Sequence, residues 1–290
     1  MKSKQVSEKL GPAFNRLFSA SVISNLSDGL LAVAAPLLAI SLTKDPVLIS
    51  MLSAFVMLPW LLFAIPIGLI VDRSNKRLLV TLTNSIRFIT AGLVALAIST
   101  DTITIYWLLL ATFLIGTCEV ATDTAAQSLI PVILEKKNFE KANSRMNIAE
   151  TVIQNFIGAP LSGFLYATAI VLPFILNSLG FLIAAIFVFM IPAHLISQGS
   201  SVETTVLEKK SFISEIKFGL NYLWNDRPLR RLVATTTSLG LFYSLSTSTL
   251  ILFITEILEV QAKYFGVLMA GAGSGGVLGG ILTPVLSKKF

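Results

Sequence analysis

A chain of 290 residues, 54% of them hydrophobic and only 13% charged, has too little polar side chain to cover a soluble domain of its size. Its mean hydropathy of +0.80 indicates an all-α integral membrane protein. The single cysteine, Cys118, excludes an intramolecular disulfide framework and a cysteine-rich metal site, and reads as a small buried hydrophobe.

A bilayer core about 30 Å thick takes roughly 20 apolar residues as helix. Eight stretches reach that length: 14–41, 47–71, 78–99, 105–130, 147–168, 170–192, 231–257 and 263–286. The first lacks the short apolar core and small-residue cleavage site of a secretory leader. The fifth and sixth form one apolar run from Asn147 to Pro192, about twice the length of a span, so a tight turn is expected near Ala167–Val171.

The loops alternate in charge. Of the 22 Lys+Arg, only Lys44, Arg87 and Lys263 lie away from the N-terminal segment, the even-numbered loops and the last residues. An excess of Lys and Arg marks the cytoplasmic face, so both ends of the chain are expected on the inner side of the membrane. The formal charge of +6 has this origin and does not point to nucleic acid.

Three acids and one arginine lie where hydrocarbon should exclude them. An ionisable side chain at mid-membrane costs at least about 2.5–3.5 kcal/mol, which makes it a candidate functional group. Asp28, in "SNLSDGLL", falls roughly 18 Å past Arg16 at 1.5 Å rise per residue. Arg87 sits within the third span, and Glu119 and Asp123 lie one turn apart on one face of the fourth. Their depths are comparable, and Glu119 or Asp123 is expected to partner Arg87. Asp28, with Asn25 and Ser27 nearby, is the acid expected to face water and bind a proton or a cationic substrate. The alternative is an ion pair that only fixes helix packing. His194, the one histidine, has no partner near it in sequence and reads as an interfacial residue.

The stretch "GLIVDRSNKR", Gly68 to Arg77, joins spans two and three. Gly68 would permit close helix approach and Asp72 would cap the transition into the turn. Asn75 would tolerate a left-handed backbone, and Arg73, Lys76 and Arg77 would hold the turn on the basic side. After span six the connection 193–230 begins as the polar "SQGSSVETTVLEKK". It then sets Ile213, Ile216, Leu220, Leu223 and Trp224 at helical spacing up to Pro228. A short amphipathic helix is expected there, lying on the membrane surface or packed on the helix ends. The late run "GAGSGGVLGG" satisfies G-x-G-x-x-G but lies inside a span with no acid after Glu259, so a dinucleotide loop is excluded. Gly271, Gly275 and Gly279 read instead as a small-residue packing stripe.

The Gly68–Arg77 stretch resembles the signature G-x-x-x-D-R-x-G-R-[KR] of the major facilitator superfamily. Gly68, Asp72, Arg73 and Arg77 match, with Asn75 for the glycine and Lys76 for the arginine. "NFIGAPLSGF" is similar to an eroded antiporter motif, G-x-x-x-G-P-x-x-G-G, matching at Pro160 and Gly163 but not at Asn155 or Phe164. "GTCEVATDTAAQSLIPVIL" followed by "ANSRMN" is similar to the fourth helix and loop of bacterial drug, macrolide and siderophore exporters. The resemblance implies a bundle with about eight of an expected twelve transmembrane helices present, cut short at the C-terminal end. Residues 1–192 would be a six-helix half, 193–230 a linker, and 231–290 the first two helices of the other half. It further implies a monomeric proton-coupled exporter of small amphipathic molecules, with no cofactor or metal and with Asp72 and the basic turn as a gating latch. A passive channel, a lipid-moving protein and an uptake transporter are the alternatives. An ATP-driven pump lacks its G-x-x-x-x-G-K-[ST] loop, and no nucleophile–base pair suggests an enzyme.

Overall fold

The computed structural model describes residues 10–193, 212–248, 250, 253–261, 264, 268 and 271. Short polar residues set the helix starts. Helix α1 (Gly11–Leu42) opens with a proline in its first turn. Helix α2 (Pro46–Arg73) starts at Asp45, whose carboxylate accepts from Val47 N–H at 2.8 Å. Helix α3 (Lys76–Ser99) starts at Asn75, whose Oδ1 accepts from Leu78 N–H at 3.2 Å. Helix α4 (Ile105–Ile133) starts at Thr104. Together with α7 (Leu172–Phe189), these four are long and apolar enough to cross a membrane. Among the described residues there is no strand, and the chain is an all-α polytopic membrane protein.

The fifth crossing is built differently. Helix α5 (Phe139–Thr151) runs without a break into a π-helical segment, Val152–Gly158, and then into α6 (Ala159–Thr168). Pro160 explains the change of register. It has no N–H to give and its ring crowds the preceding turn, so the ladder widens just before it, and Ala159 N–H bonds to Gln154 O. The chain leaves the helix after Thr168, with Ala169 extended, and α7 starts three residues later.

Further along, helix α8 (Phe212–Asn225) stands where an amphipathic helix is expected, and its Trp224 is 71% exposed. Asp226 breaks the helix, its carboxylate accepts from Leu229 N–H, and α9 (Arg227–Ser248) follows with Pro228 in its first turn. A second π-helical segment covers Phe253–Ile257, inside the expected seventh span. His194, Gly275, Gly279 and nearly all of the expected eighth span lie outside the described residues. Of the glycine stripe, Gly271 alone is among the described residues.

Helices α1, α3, α4 and α7 form the packed centre, with α2 against α4 and the α5–α6 crossing against α1. Two apolar clusters divide this centre by depth. Leu17, Val71, Val80, Leu129 and Val188 pack towards the basic end. Ala35, Leu38, Val94, Leu108 and Phe174 pack towards the other. Between them in sequence, on every one of the four central helices, lies a polar stretch. Side chains that face outward are apolar, as lipid requires: Leu61, Leu93, Leu110 and Phe189 are all exposed.

Small residues bring α1 close to its neighbours at the level of this polar layer. A Cβ on Gly158 would lie 2.9 Å from Gly29 Cα, and one on Gly180 would overlap Ser27 Oγ. Such contacts let backbones meet where no hydrophobic effect drives helices together.

Candidate functional site

The buried layer centres on Arg87, whose side chain has no exposed surface. Its guanidinium donates through Nη2 to Asp28 Oδ1 and through Nη1 to Ser24 Oγ at 3.1 Å. Glu119 Oε2 stands 4.0 Å from the same Nη2. The guanidinium carbon lies 3.9 Å from the centroid of the Phe181 ring, a cation–π contact that shields one face of the charge. Nε is buried without a partner. A low-dielectric site favours this pairing because an uncompensated guanidinium there would be far more costly.

The structure bears out Glu119 as an expected partner of Arg87 and adds a closer one. Arg87 bonds Asp28 of α1 directly, Glu119 is a second and more distant carboxylate, and Asp123 makes no ion pair with it. Asp28, expected to face water, has only 10% of its side chain exposed, whereas Glu119 keeps 25%. Residues 28 and 87 meet between α1 and α3, while Asp123, on the same face of α4 as Glu119, lies one turn nearer the basic end.

Two consecutive residues of α7 lock this pair in place. Asn177 Nδ2 donates to Ser27 O at 2.6 Å, the carbonyl just before Asp28. Ser178 Oγ donates to Phe88 O at 2.8 Å, the carbonyl just after Arg87. On the other side of α1, Ser162 Oγ of α6 donates to Leu30 O at 2.6 Å. These buried polar residues escaped the sequence reading. The dipeptide Asn177–Ser178 inside "FILNSLGF" was the available signal, two polar residues together in an otherwise apolar span.

One turn towards the basic end, Asp123 lines a small cavity of about 20 Å³ shared by α1, α3, α4 and α7. Asn25, Asn84 and Thr122 also line it. Asn25 Nδ2 donates to Ser21 O at 2.8 Å, and Asn84 Nδ2 donates to Val80 O at 3.0 Å. Thr83 and Thr122 share a hydroxyl bond of 2.7 Å across α3 and α4. Thus Asn25, Asp28, Arg87, Glu119 and Asp123 gather in one layer. Among the described residues, no group of three or more His, Cys, Asp or Glu side chains is placed to hold a metal ion.

Pro160 and Gly163 belong to the wall of this layer rather than to its charges. Pro160 marks the π-to-α change and Gly163 is buried beside Ser162. The Gly68–Arg77 turn lies apart, at the basic end. A Cβ on Gly68 would meet nothing within 4 Å, so this glycine makes no close helix contact. Asp72 and Arg73 belong to the last turn of α2 and are exposed. Asn75, not Asp72, is the cap, with φ −70° rather than a left-handed backbone. Lys76 opens α3.

Arg77 has a structural task. Its Nε donates to Phe189 O at 3.1 Å, Nη2 donates to the same oxygen, and the guanidinium lies 4.7 Å from the Phe189 ring centroid. Arg16 Nη1 donates to Met190 O at 2.7 Å. Two arginines from α1 and α3 thus satisfy the free carbonyls at the C-terminal end of α7. Replacing Arg77 with Ala is expected to cost about 1 kcal/mol of stability after solvent screening. Thermal melting of the detergent-purified protein reads this out, and Arg77→Lys should recover only part of the loss because an ammonium cannot fork.

The chain matches the Major Facilitator Superfamily over residues 17–290. A search of curated proteins finds no match. Among solved structures, it resembles a bacterial homolog of the human lysosomal transporter Spinster in its inward-facing, unoccupied conformation, with a TM-score of 0.68 at 17% identity. The alignment covers 96% of this chain and 63% of that one, so the chain spans less than two thirds of that transporter's length. An identity this low speaks to the fold alone; the match over residues 17–290 decides the family, and the chain belongs to the Major Facilitator Superfamily.

Proposed function

We propose that this chain is part of a secondary transporter that exports small amphipathic molecules in exchange for protons by alternating access. The observation that carries the reading is the Arg87–Asp28–Glu119 group, a guanidinium with no exposed surface held between two carboxylates inside a membrane bundle. Here one cation faces two acids, so a proton can be taken up without leaving Arg87 unpaired. Glu119, the more exposed, is the point of entry, and protonation of Asp28 shifts the guanidinium's pairing to Glu119. Asn25 and Asp123 border the same layer and complete its polar wall.

In this scheme residues 1–192 form one rocking unit, 193–230 the linker, and 231–290 the opening part of the opposing unit. The basic end faces the cytoplasm of a bacterial-type cell, and the full-length protein works as a monomer in the lipid bilayer. Asp72 is exposed at the end of α2, where it is free to meet an opposing helix end, and Gly68 leaves open space on the same helix. This supports a latch role for Asp72 with Arg73, Lys76 and Arg77 around it. Pro160 and Gly163 shape the α1-facing wall of the fifth crossing.

The test is accumulation of a panel of labelled amphipathic compounds in cells with and without the full-length protein. At least one compound should accumulate less in its presence, and collapse of the proton gradient should abolish the difference. Efflux that survives collapse points to a channel or lipid-moving protein, and greater accumulation points to uptake. Asp72→Ala should cut efflux at least several-fold while leaving the melting temperature within about 1 °C, since the exposed residue supports no buried contact.

A further inference from the structure

The cavity beside Asp123 has a donor set unlike its surroundings. Asn84 is 1% exposed and its Oδ1 has no hydrogen-bond partner. Its Nδ2 is committed to Val80 O, so the amide cannot turn the oxygen away without facing carbonyl with carbonyl. Asn25 is held the same way by Ser21 O, which leaves its Oδ1 available. The Asp123 carboxylate has no Lys or Arg within 4.0 Å among the described residues. The cavity is therefore lined by unpartnered side-chain oxygens of Asn25, Asn84 and Asp123, one from each of three helices, beside the hydroxyls of Ser21, Ser24 and Thr122.

A carboxylate set among unpartnered amide oxygens calls for something positive. Around the cavity, Asp28, Glu119 and Asp123 face the single cation Arg87, so the ionised cluster keeps an excess of negative charge. A volume of about 20 Å³ admits one water-sized species. A single water has two hydrogens for three free acceptors and leaves the charge uncompensated. A divalent ion fits poorly. Ca²⁺ takes 6–8 oxygens, and Mg²⁺ keeps several of its own waters, for which the space is too small. Softer metals look for nitrogen and sulfur, which the cavity does not offer.

We propose that Asp123, Asn84 and Asn25 form a binding site for one dehydrated monovalent cation of the size of Na⁺. The carboxylate supplies the charge, the two amide oxygens replace hydration, and the Thr83–Thr122 hydroxyl pair holds the α3–α4 wall at fixed width. The site lies one turn from the Arg87–Asp28 pair. Its occupancy does not depend on which molecule the protein moves or in which direction.

The full-length protein, purified in detergent, is melted in NaCl, KCl and choline chloride at equal ionic strength. Na⁺ at a hundredfold excess over its Kd should raise the melting temperature by about 3–5 °C relative to choline. Radioactive Na⁺ should bind at one ion per chain. Asn84→Leu should lose both signals while melting no lower than wild type in choline, because it removes an unsatisfied buried oxygen. Asn84→Asp should keep or strengthen them. If Asn84→Leu does not yield folded protein, Asn25→Leu makes the same comparison from the opposite wall. Equal melting in Na⁺ and choline, or a Na⁺ shift undiminished by Asn84→Leu, overturns the site. Because the readout is binding, its failure leaves the transport assay untouched, and failure of transport leaves the Na⁺ shift in place.

Discussion

Replacing Arg87 with Ala is expected to abolish gradient-driven transport by the full-length protein and to lower its stability by about 3–5 kcal/mol. The loss has two sources. Asp28 and Glu119 would face each other in a buried layer with no cation between them, and the Phe181 ring would lose the group stacked on it. Arg87→Lys should recover part of the stability but little of the transport. A lysine ammonium cannot bond Asp28 and Ser24 with the fixed fork that spans them. Melting curves and transport rates on the same preparations check both effects. The Asp28→Ala/Arg87→Ala double variant should be less destabilised than the sum of its single changes, since each single change leaves a charge stranded. Strict additivity would mean that the two residues do not act as a pair.

The second large effect is expected from one methyl group. Gly29→Ala would place a Cβ against Gln154 O, 3.0 Å from Gly158 Cα and 3.1 Å from Gln154 C. All three are backbone atoms of the fifth crossing, so no side chain can swing aside. Either α1 or the π-helical segment must move. Overpacking of this kind costs about 1–3 kcal/mol, and the inflexible neighbours place this case at the upper end. The displacement would also break Ser162 Oγ to Leu30 O and tilt Asp28, which lies next in sequence. Transport should fall along with the melting temperature. A companion change tests the locality of the effect. Gly68→Ala meets open space and should leave stability within about 0.5 kcal/mol.

Much of the fold could be read from sequence because lipid allows so few solutions. A run of apolar residues must be a helix there, and the lengths of the first four runs place α1 to α4 to within a few residues. The turn between the fifth and sixth runs falls at 169–171, where no charge marks it, because the doubled length required a break. The common depth of Asp28, Arg87 and Glu119 was legible by counting from the basic ends.

The choice of partner was not legible. Pairing depends on the rotation of each helix about its axis, and helices apolar on every side carry little periodicity to fix that angle. Depth did not separate Asp28 from the span-four acids, which were the expected partners, and the structure gives Arg87 both Asp28 and, at 4.0 Å, Glu119. The π-helical segment was hidden for a related reason. Pro160 announces a disturbance, but whether a helix kinks or widens depends on the neighbour it meets, here Gly29. The letters of Gly68–Arg77 identify the turn but not its backbone, in which Gly68 meets open space and Asn75, at φ −70°, is the cap.

The central claim is that the buried pair of α1 and α3 is a proton switch and not merely a rivet. Proteoliposomes carrying the full-length protein, with a compound identified by the accumulation panel, allow two rates to be measured on one preparation. One is accumulation driven by an imposed pH gradient, and the other is exchange of labelled for unlabelled compound with no gradient. Asp28→Asn keeps an oxygen for Arg87 but cannot change its charge. The account predicts that this variant loses gradient-driven accumulation at least tenfold while exchange stays within a factor of about three of wild type. Gradient-driven accumulation at the wild-type rate in Asp28→Asn would contradict it.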